Sequence, residues 1–241
     1  MSTPTDSRLD VIPTLWSMVQ LAHALGDGSA TAARQALVLR YAKALRRYVG
    51  AIVKDPEQAD ELTQDVMMKL MQGNFAGADP NLGRFRDFLK TAVRNMIRNH
   101  WAKTARRRTA TLAIDAADDA ESEAWDHEWQ ANVLDHAWAA LKQHETQHPS
   151  PPSWSVLRLR TDEPDATSEE LAALLSRQLG TPLRADACRQ LLRRARVRFA
   201  ELLIAEVRVG LTTPSPEAVV DELIALGLWE YVKDFYEDAG K

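Results

Sequence analysis

Arg86, Lys90, Arg94 and Arg98 recur at every fourth position and are followed by Arg106-Arg-Arg108. On a helix a four-residue repeat makes one face, so these side chains form a cationic row suited to tracking the phosphates of a polyanion. Asn95, Asn99 and Trp101 lie beside the row, where amides and an indole can bond to or stack on unpaired bases. The plain alternative for Trp101 is a core position. Further along, Arg189, Arg193 and Arg196 stand at i, i+4 and i+7, with Arg184, Gln190 and Arg194 nearby. Arginine and glutamine are side chains that make bidentate bonds to base edges in the major groove. A solvated Arg-rich helix would carry the same residues without reading anything.

Catalytic signals are weaker. His144-Glu145-Thr146-Gln147-His148 has the H-E-x-x-H spacing that can hold zinc and place a general base on a helix. Pro149 ends that helix directly after His148 and no further histidine follows, so the string reads as a helix end. A zinc peptidase is kept as a distant alternative. The loop 73–83 is glycine-rich but lacks Gly-Lys-Ser/Thr, so nucleotide hydrolysis is not supported. Cys188 is the single cysteine, which excludes an internal disulfide. No cofactor is expected, and the expectation is a non-enzyme.

Charge sorts along the chain far more than the net −4 suggests. Residues 81–110 carry nine Lys/Arg against Asp87, a net of +8; residues 111–130 carry seven acids and no Lys/Arg, a net of −7. Residues 181–210 carry seven Arg against three acids, +4, and residues 211–241 carry two Lys against seven acids, −5. Two basic blocks, each followed by an acidic one, point to polyanion binding in a chain that is neutralised overall.

The elements that must position these residues are helical throughout, because no alternating strand pattern occurs. Helices are expected from Leu15, over 30–49 with Ala36, Leu37, Leu39, Leu45 and Val49 inward, and after Asp55-Pro56 with Leu62, Val66, Met67 and Leu70 inward. A fourth runs from Arg84 to Lys103 with Phe85, Phe88, Leu89, Ala92, Met96 and Ile97 inward. The acidic stretch 109–123 reads as a linker. A fifth helix over 124–147 carries Trp125, Trp129, Leu134, Trp138 and Leu141. Thr167-Ser-Glu-Glu170 is a capping box that opens a short helix ending at Gly180, and a long helix runs on to Val209. That pair is a helix-turn-helix candidate. A last amphipathic helix is expected from Glu217 to about Glu237, its Val219, Leu223, Leu226, Trp229 and Val232 on one face. No segment has the length and apolarity of a membrane span and the N-terminus does not resemble a secretory signal, so a cytoplasmic protein is expected.

Two segments resemble bacterial RNA polymerase sigma factors of the extracytoplasmic-function type. Gln58-Ala-Asp-Glu-Leu-Thr-Gln-Asp-Val-Met-Met-Lys-Leu70 is similar to the acidic helix of the family's second conserved region, with Gln58 where an acid is usual. Gly83-Arg-Phe-Arg-Asp-Phe-Leu-Lys-Thr-Ala-Val-Arg-Asn-Met-Ile-Arg-Asn99 is similar to the helix that follows it. Residues 168–207 stand where the fourth region's helix-turn-helix belongs, with a longer turn. The chain looks most similar to members with extended tails from planctomycete-like bacteria. The resemblance implies two all-α domains: a region 2 domain over 12–108 and a region 4 domain over 124–210, joined by the linker 109–123 and followed by an acidic tail, 211–241. It implies that Asp60, Glu61, Gln64 and Asp65 meet core RNA polymerase. Arg86, Lys90, Arg94, Asn95, Arg98, Asn99 and Trp101 would hold the melted −10 strand of promoter DNA, and Arg184, Arg189, Gln190, Arg193 and Arg196 would read the −35 element. An anti-sigma factor or a Ser/Thr kinase is an implied partner, with Thr63 the candidate phosphorylation site, where a phosphate would add about −1.5 to −2 charges. A stand-alone helix-turn-helix regulator is the alternative.

Overall fold

The computed structural model describes residues 28–72, 84–107 and 118–236. The expected helix from Leu15, the loop 73–83, Arg108, the linker residues 109–117 and residues 237–241 lie outside them. Among the described residues every regular element is helical. The chain divides into two compact units: the described residues up to Asn132 with Arg208–Val219, and Val133–Val207 with the residues from Val220 on.

In the first unit α1 (Gly28–Ile52) packs on α2 (Pro56–Met71), which packs on α3 (Phe85–Arg107). The inner face of α1 is Ala33, Leu37, Tyr41, Ala44, Leu45, Tyr48 and Val49. Leu39, expected inside, is 80% exposed and Ala36 is exposed as well. At 100° per residue Leu37 and Leu39 point about 200° apart, so one face cannot bury both, and the large tyrosines set the phase. Asp55 caps α2: its side chain accepts from the backbone N–H of Glu57 (3.0 Å) and Gln58 (3.2 Å), and Pro56 fills the first turn. These bonds, chiefly from Gln58, hold the Asp55 carboxyl below the usual range. In α3 the buried row is Phe85, Leu89, Val93 and Ile97; Phe88, Ala92 and Met96 are half-buried on its flank.

The helix expected over 124–147 starts earlier. α4 spans Asp118–Gln147, so the second part of the stretch read as a linker is helical, and its residues up to Asn132 belong to the first unit. Acidic side chains near a helix N-terminus suit the helix dipole, and here they also find cationic partners on α3. Trp125 and Trp129 are buried: Trp129 stacks on Tyr41 (4.9 Å between centroids, 10° between planes), and Trp125 meets Tyr48 edge-on at 5.0 Å. α1, α3 and the first half of α4 therefore share one aromatic core in the first unit.

In the second unit the rest of α4 buries Val133, Ala137 and Leu141, while Leu134 and Trp138 are half-buried, with Trp138 against Phe199 at 5.0 Å. α5 (Ser153–Asp162) was not expected among the prolines; it buries Val156 and Leu157, and packs on α6 (Ser168–Leu179). The capping box of α6 forms as expected: Glu170 N–H donates to Thr167 Oγ1 (3.3 Å), and Thr167 N–H donates to Glu170 Oε2 (2.7 Å). Gly180 ends α6 at φ 67°, and Ser176 Oγ accepts from Leu183 N–H at 2.8 Å to hold the turn before α7 (Ala185–Val209). A Cβ at Gly180 would meet nothing within 4 Å. Gly180→Ala should therefore cost only the left-handed conformation, about 1–2 kcal/mol in urea denaturation, and a loss twice that size would show a second constraint on the turn.

The expected single tail helix is two pieces, α8 (Pro216–Ala225) and α9 (Trp229–Val232), with a 3₁₀ turn at Lys233–Phe235. Gly227 at φ 64° breaks it in a Schellman pattern: Leu228 N–H donates to Leu223 O (2.7 Å) and Gly227 N–H to Ile224 O (2.9 Å). Val219, Leu223, Leu226 and Val232 are nonetheless buried, as is Leu228, while Trp229 is half-buried.

Candidate nucleic-acid interface

Helix α2 buries Ala59, Leu62, Thr63, Val66 and Leu70, which leaves Asp60, Glu61, Gln64 and Asp65 exposed on the other side. Asp60 is held from α1 by Arg46, whose Nη2 lies 2.7 Å and Nε 3.2 Å from Asp60 Oδ1. Gln58 ties the N-terminus of α2 to α3: its Nε2 donates to Asp55 (2.8 Å) and its Oε1 lies 3.1 Å from His100 Nε2. Thr63 corrects the phosphorylation reading. It is 7% exposed and its hydroxyl donates to Ala59 O at 2.7 Å, so a dianionic phosphate there would need the inner face of α2 to open.

The basic row of α3 splits in two. Arg86 Nη1 reaches Asp126 Oδ1 at 3.1 Å, Lys90 Nζ donates to Ser122 Oγ at 2.7 Å with Asp126 Oδ2 at 4.0 Å, and Arg94 Nε lies 3.3 Å from Glu121 Oε2. Arg86 is only 8% exposed and Glu121 4%. From α1, Arg47 Nε meets Glu128 at 2.5 Å. In this structure the three cations serve carboxylates and a hydroxyl of α4. Asn95, Arg98 and Asn99 are exposed, and Trp101 is half-buried. A cleft of about 300 Å³ between α2 and α3 brings Asp65, Lys69, Asn99, His100 and Lys103 together, so the acidic face of α2 and the amide end of α3 share one border.

Glu121, Ser122, Asp126 and Glu128 were not singled out from the sequence as site residues. The signal was present as a −7 block following a +8 block, two charges of near-equal size that can cancel by contact.

In the second unit α6, the Gly180 turn and α7 follow one another in the order expected of the helix-turn-helix candidate. Arg184 stands at the start of α7, and Arg189, Gln190, Arg193 and Arg196 are all exposed along it. Arg189 pairs with Asp186 on the same helix. The opposite face buries Cys188, Ala195, Phe199, Leu203 and Ile204, and burial pushes the Cys188 thiol up, away from a reactive thiolate.

The H-E-x-x-H residues have another use. Glu145 Oε2 accepts from Ser155 N–H (2.9 Å) and Oε1 from Ser155 Oγ (2.5 Å), so the carboxylate caps the first turn of α5. His144 and His148 stack at 4.8 Å. Burial, the Arg198 guanidinium and His148 hold His144 below its ordinary value. Among the described residues no group of three or more His, Cys, Asp or Glu side chains is placed to hold a metal, and no helix is long and apolar enough to cross a membrane.

No curated protein and no solved structure matches the chain. One family does match, over residues 37–107, from the middle of α1 to the end of α3. That segment holds both the acidic face of α2 and the basic row of α3, and the family it matches is sigma-70 region 2.

Proposed function

We propose that this chain is a sigma factor of the extracytoplasmic-function type, which binds core RNA polymerase and directs it to promoters. The observation that carries the reading is the region 2 match, supported by an exposed helix-turn-helix arginine face later in the same chain. Asp60, Glu61, Gln64 and Asp65 are the polymerase-facing residues. Asn95, Arg98, Asn99 and Trp101 meet the melted −10 strand, while Arg184, Arg189, Gln190, Arg193 and Arg196 face the −35 duplex. An anti-sigma factor is the class of regulator that this reading adds, and the cytoplasm is where it would act. Binding the full chain to core polymerase tests it: co-elution in size-exclusion chromatography is expected. A chain that binds promoter duplex but never core polymerase would be a stand-alone regulator instead.

Base reading by α7 gives a further prediction. A bidentate arginine contact supplies about 1–3 kcal/mol of discrimination between bases, so Arg193→Ala should lower transcription from the specific promoter by about tenfold or more. Equal loss on specific and scrambled −35 sequences would reduce Arg193 to a phosphate contact.

A further inference from the structure

We propose that the first half of α4 is a built-in competitor for nucleic acid, whose carboxylates hold the basic row of α3 closed until DNA displaces them. The inference rests on the reading of α3 as a DNA-binding helix and adds the device that controls it. The two helices are matched in antiparallel register: Glu121 with Arg94, Ser122 with Lys90, and Asp126 with Lys90 and Arg86. Each step along α4 thus meets a cation about one turn earlier on α3. Carboxylate and phosphate oxygens accept from guanidinium in the same geometry, so the acids occupy the positions that phosphates would take.

The pairing is more than is needed to hold the helix. Trp125 and Trp129, buried on Tyr48 and Tyr41, already anchor it, and a buried ion pair adds little net stability over apolar residues of equal size. What the acids do accomplish is charge cancellation, on a helix lying wholly beyond the segment that matches region 2. With Arg86 at 8% exposure, a phosphate reaches it only when α4 moves away. The aromatic anchors keep the free chain closed, and a polyanion competing for the same cations opens it.

The test compares the full-length chain with its Glu121→Gln/Asp126→Asn variant, using a fluorescent single-stranded DNA oligonucleotide as the probe. Both substitutions keep side-chain shape and remove the charges, so the closed state loses the charge pairing of Arg94 with Glu121 and of Arg86 with Asp126. The variant should bind at least about tenfold more tightly, because the competent fraction limits the apparent affinity. Its log–log salt slope should steepen by about 0.7 for each phosphate contact recovered. On the unmodified chain, hydrogen exchange in residues 121–132 should speed up when the oligonucleotide is bound, a readout that holds even if the variant folds poorly. Equal binding by both proteins, or unchanged protection of 121–132 in the DNA-bound chain, overturns the competitor while leaving the DNA reading intact. Binding by neither protein overturns the DNA reading and the competitor together.

Discussion

Trp129→Ala should cost the first unit about 3–5 kcal/mol, the range for deleting a buried large aromatic. Trp129 is 6% exposed, lies flat on Tyr41 and also stacks on Trp125 at 5.6 Å, so its removal leaves a void at the junction of α1 and α4 and loses aromatic contacts beyond the buried area. Tyr41 in turn touches Phe85 at 5.6 Å, which carries the damage to the start of α3. Urea denaturation followed by circular dichroism measures the loss. A cost below about 1 kcal/mol would show that the first half of α4 is not part of the first unit's core. The consequence for dissection is direct: a fragment ending at residue 107, where the family match stops, would leave Tyr41 and Tyr48 without the tryptophans that cover them.

Reversing Asp60, Glu61 and Asp65 together to Lys should abolish association with core RNA polymerase while the fold survives. All three are exposed and lie off the Leu62/Val66 face, so no core contact is touched. The Arg46–Asp60 pair is lost, but its side chains are 68% and 53% exposed, and an exposed pair of this kind contributes about 0–1 kcal/mol. Across an interface the same change places like charges against a basic partner, where misplaced charges cost several kcal/mol and slow association. Co-elution lost with an unchanged circular dichroism spectrum is the expected pair of results. Retained co-elution would move the polymerase contact off α2.

The regular parts of the fold were legible wherever a local signal suffices. The Thr167/Glu170 capping box, the Gly180 stop and the extent of α7 follow from residues within one turn of each boundary. The inner row of α2 was legible because Leu62, Val66 and Leu70 keep one spacing. The misreadings have distant causes. Leu39 looked like core by composition, but the phase of α1 is set by Tyr41 and Tyr48, whose partners lie on α4. α5 was missed because its first turn is capped by Glu145 from across the proline turn. The apolar spacing of the tail continues through Gly227, where the buried Leu223–Leu228 pair makes the chain turn.

For the candidate site, charge showed the right residues but not which anion sits on them in the free chain. A row such as Arg86, Lys90 and Arg94 announces an anion, yet spacing cannot say whether the anion is a phosphate or a carboxylate of the same chain. The acids from 118 on look like solvated linker in sequence because they lack apolar neighbours before Trp125. Only the antiparallel packing of α4 on α3 gives Glu121 and Asp126 their partners. Thr63 failed for a simpler reason: a threonine between acidic residues looks exposed in sequence, but it lies on the same side of the helix as Leu62 and Val66.

The central claim is that this chain gives core RNA polymerase a promoter preference, and in vitro transcription tests it most directly. Core polymerase would be incubated with a pool of genomic fragments, with and without the full-length chain, and the transcript 5′ ends mapped. The account predicts discrete start sites, sharing −10 and −35 elements, that appear only when the chain is present. Identical transcripts with and without a folded chain would contradict it.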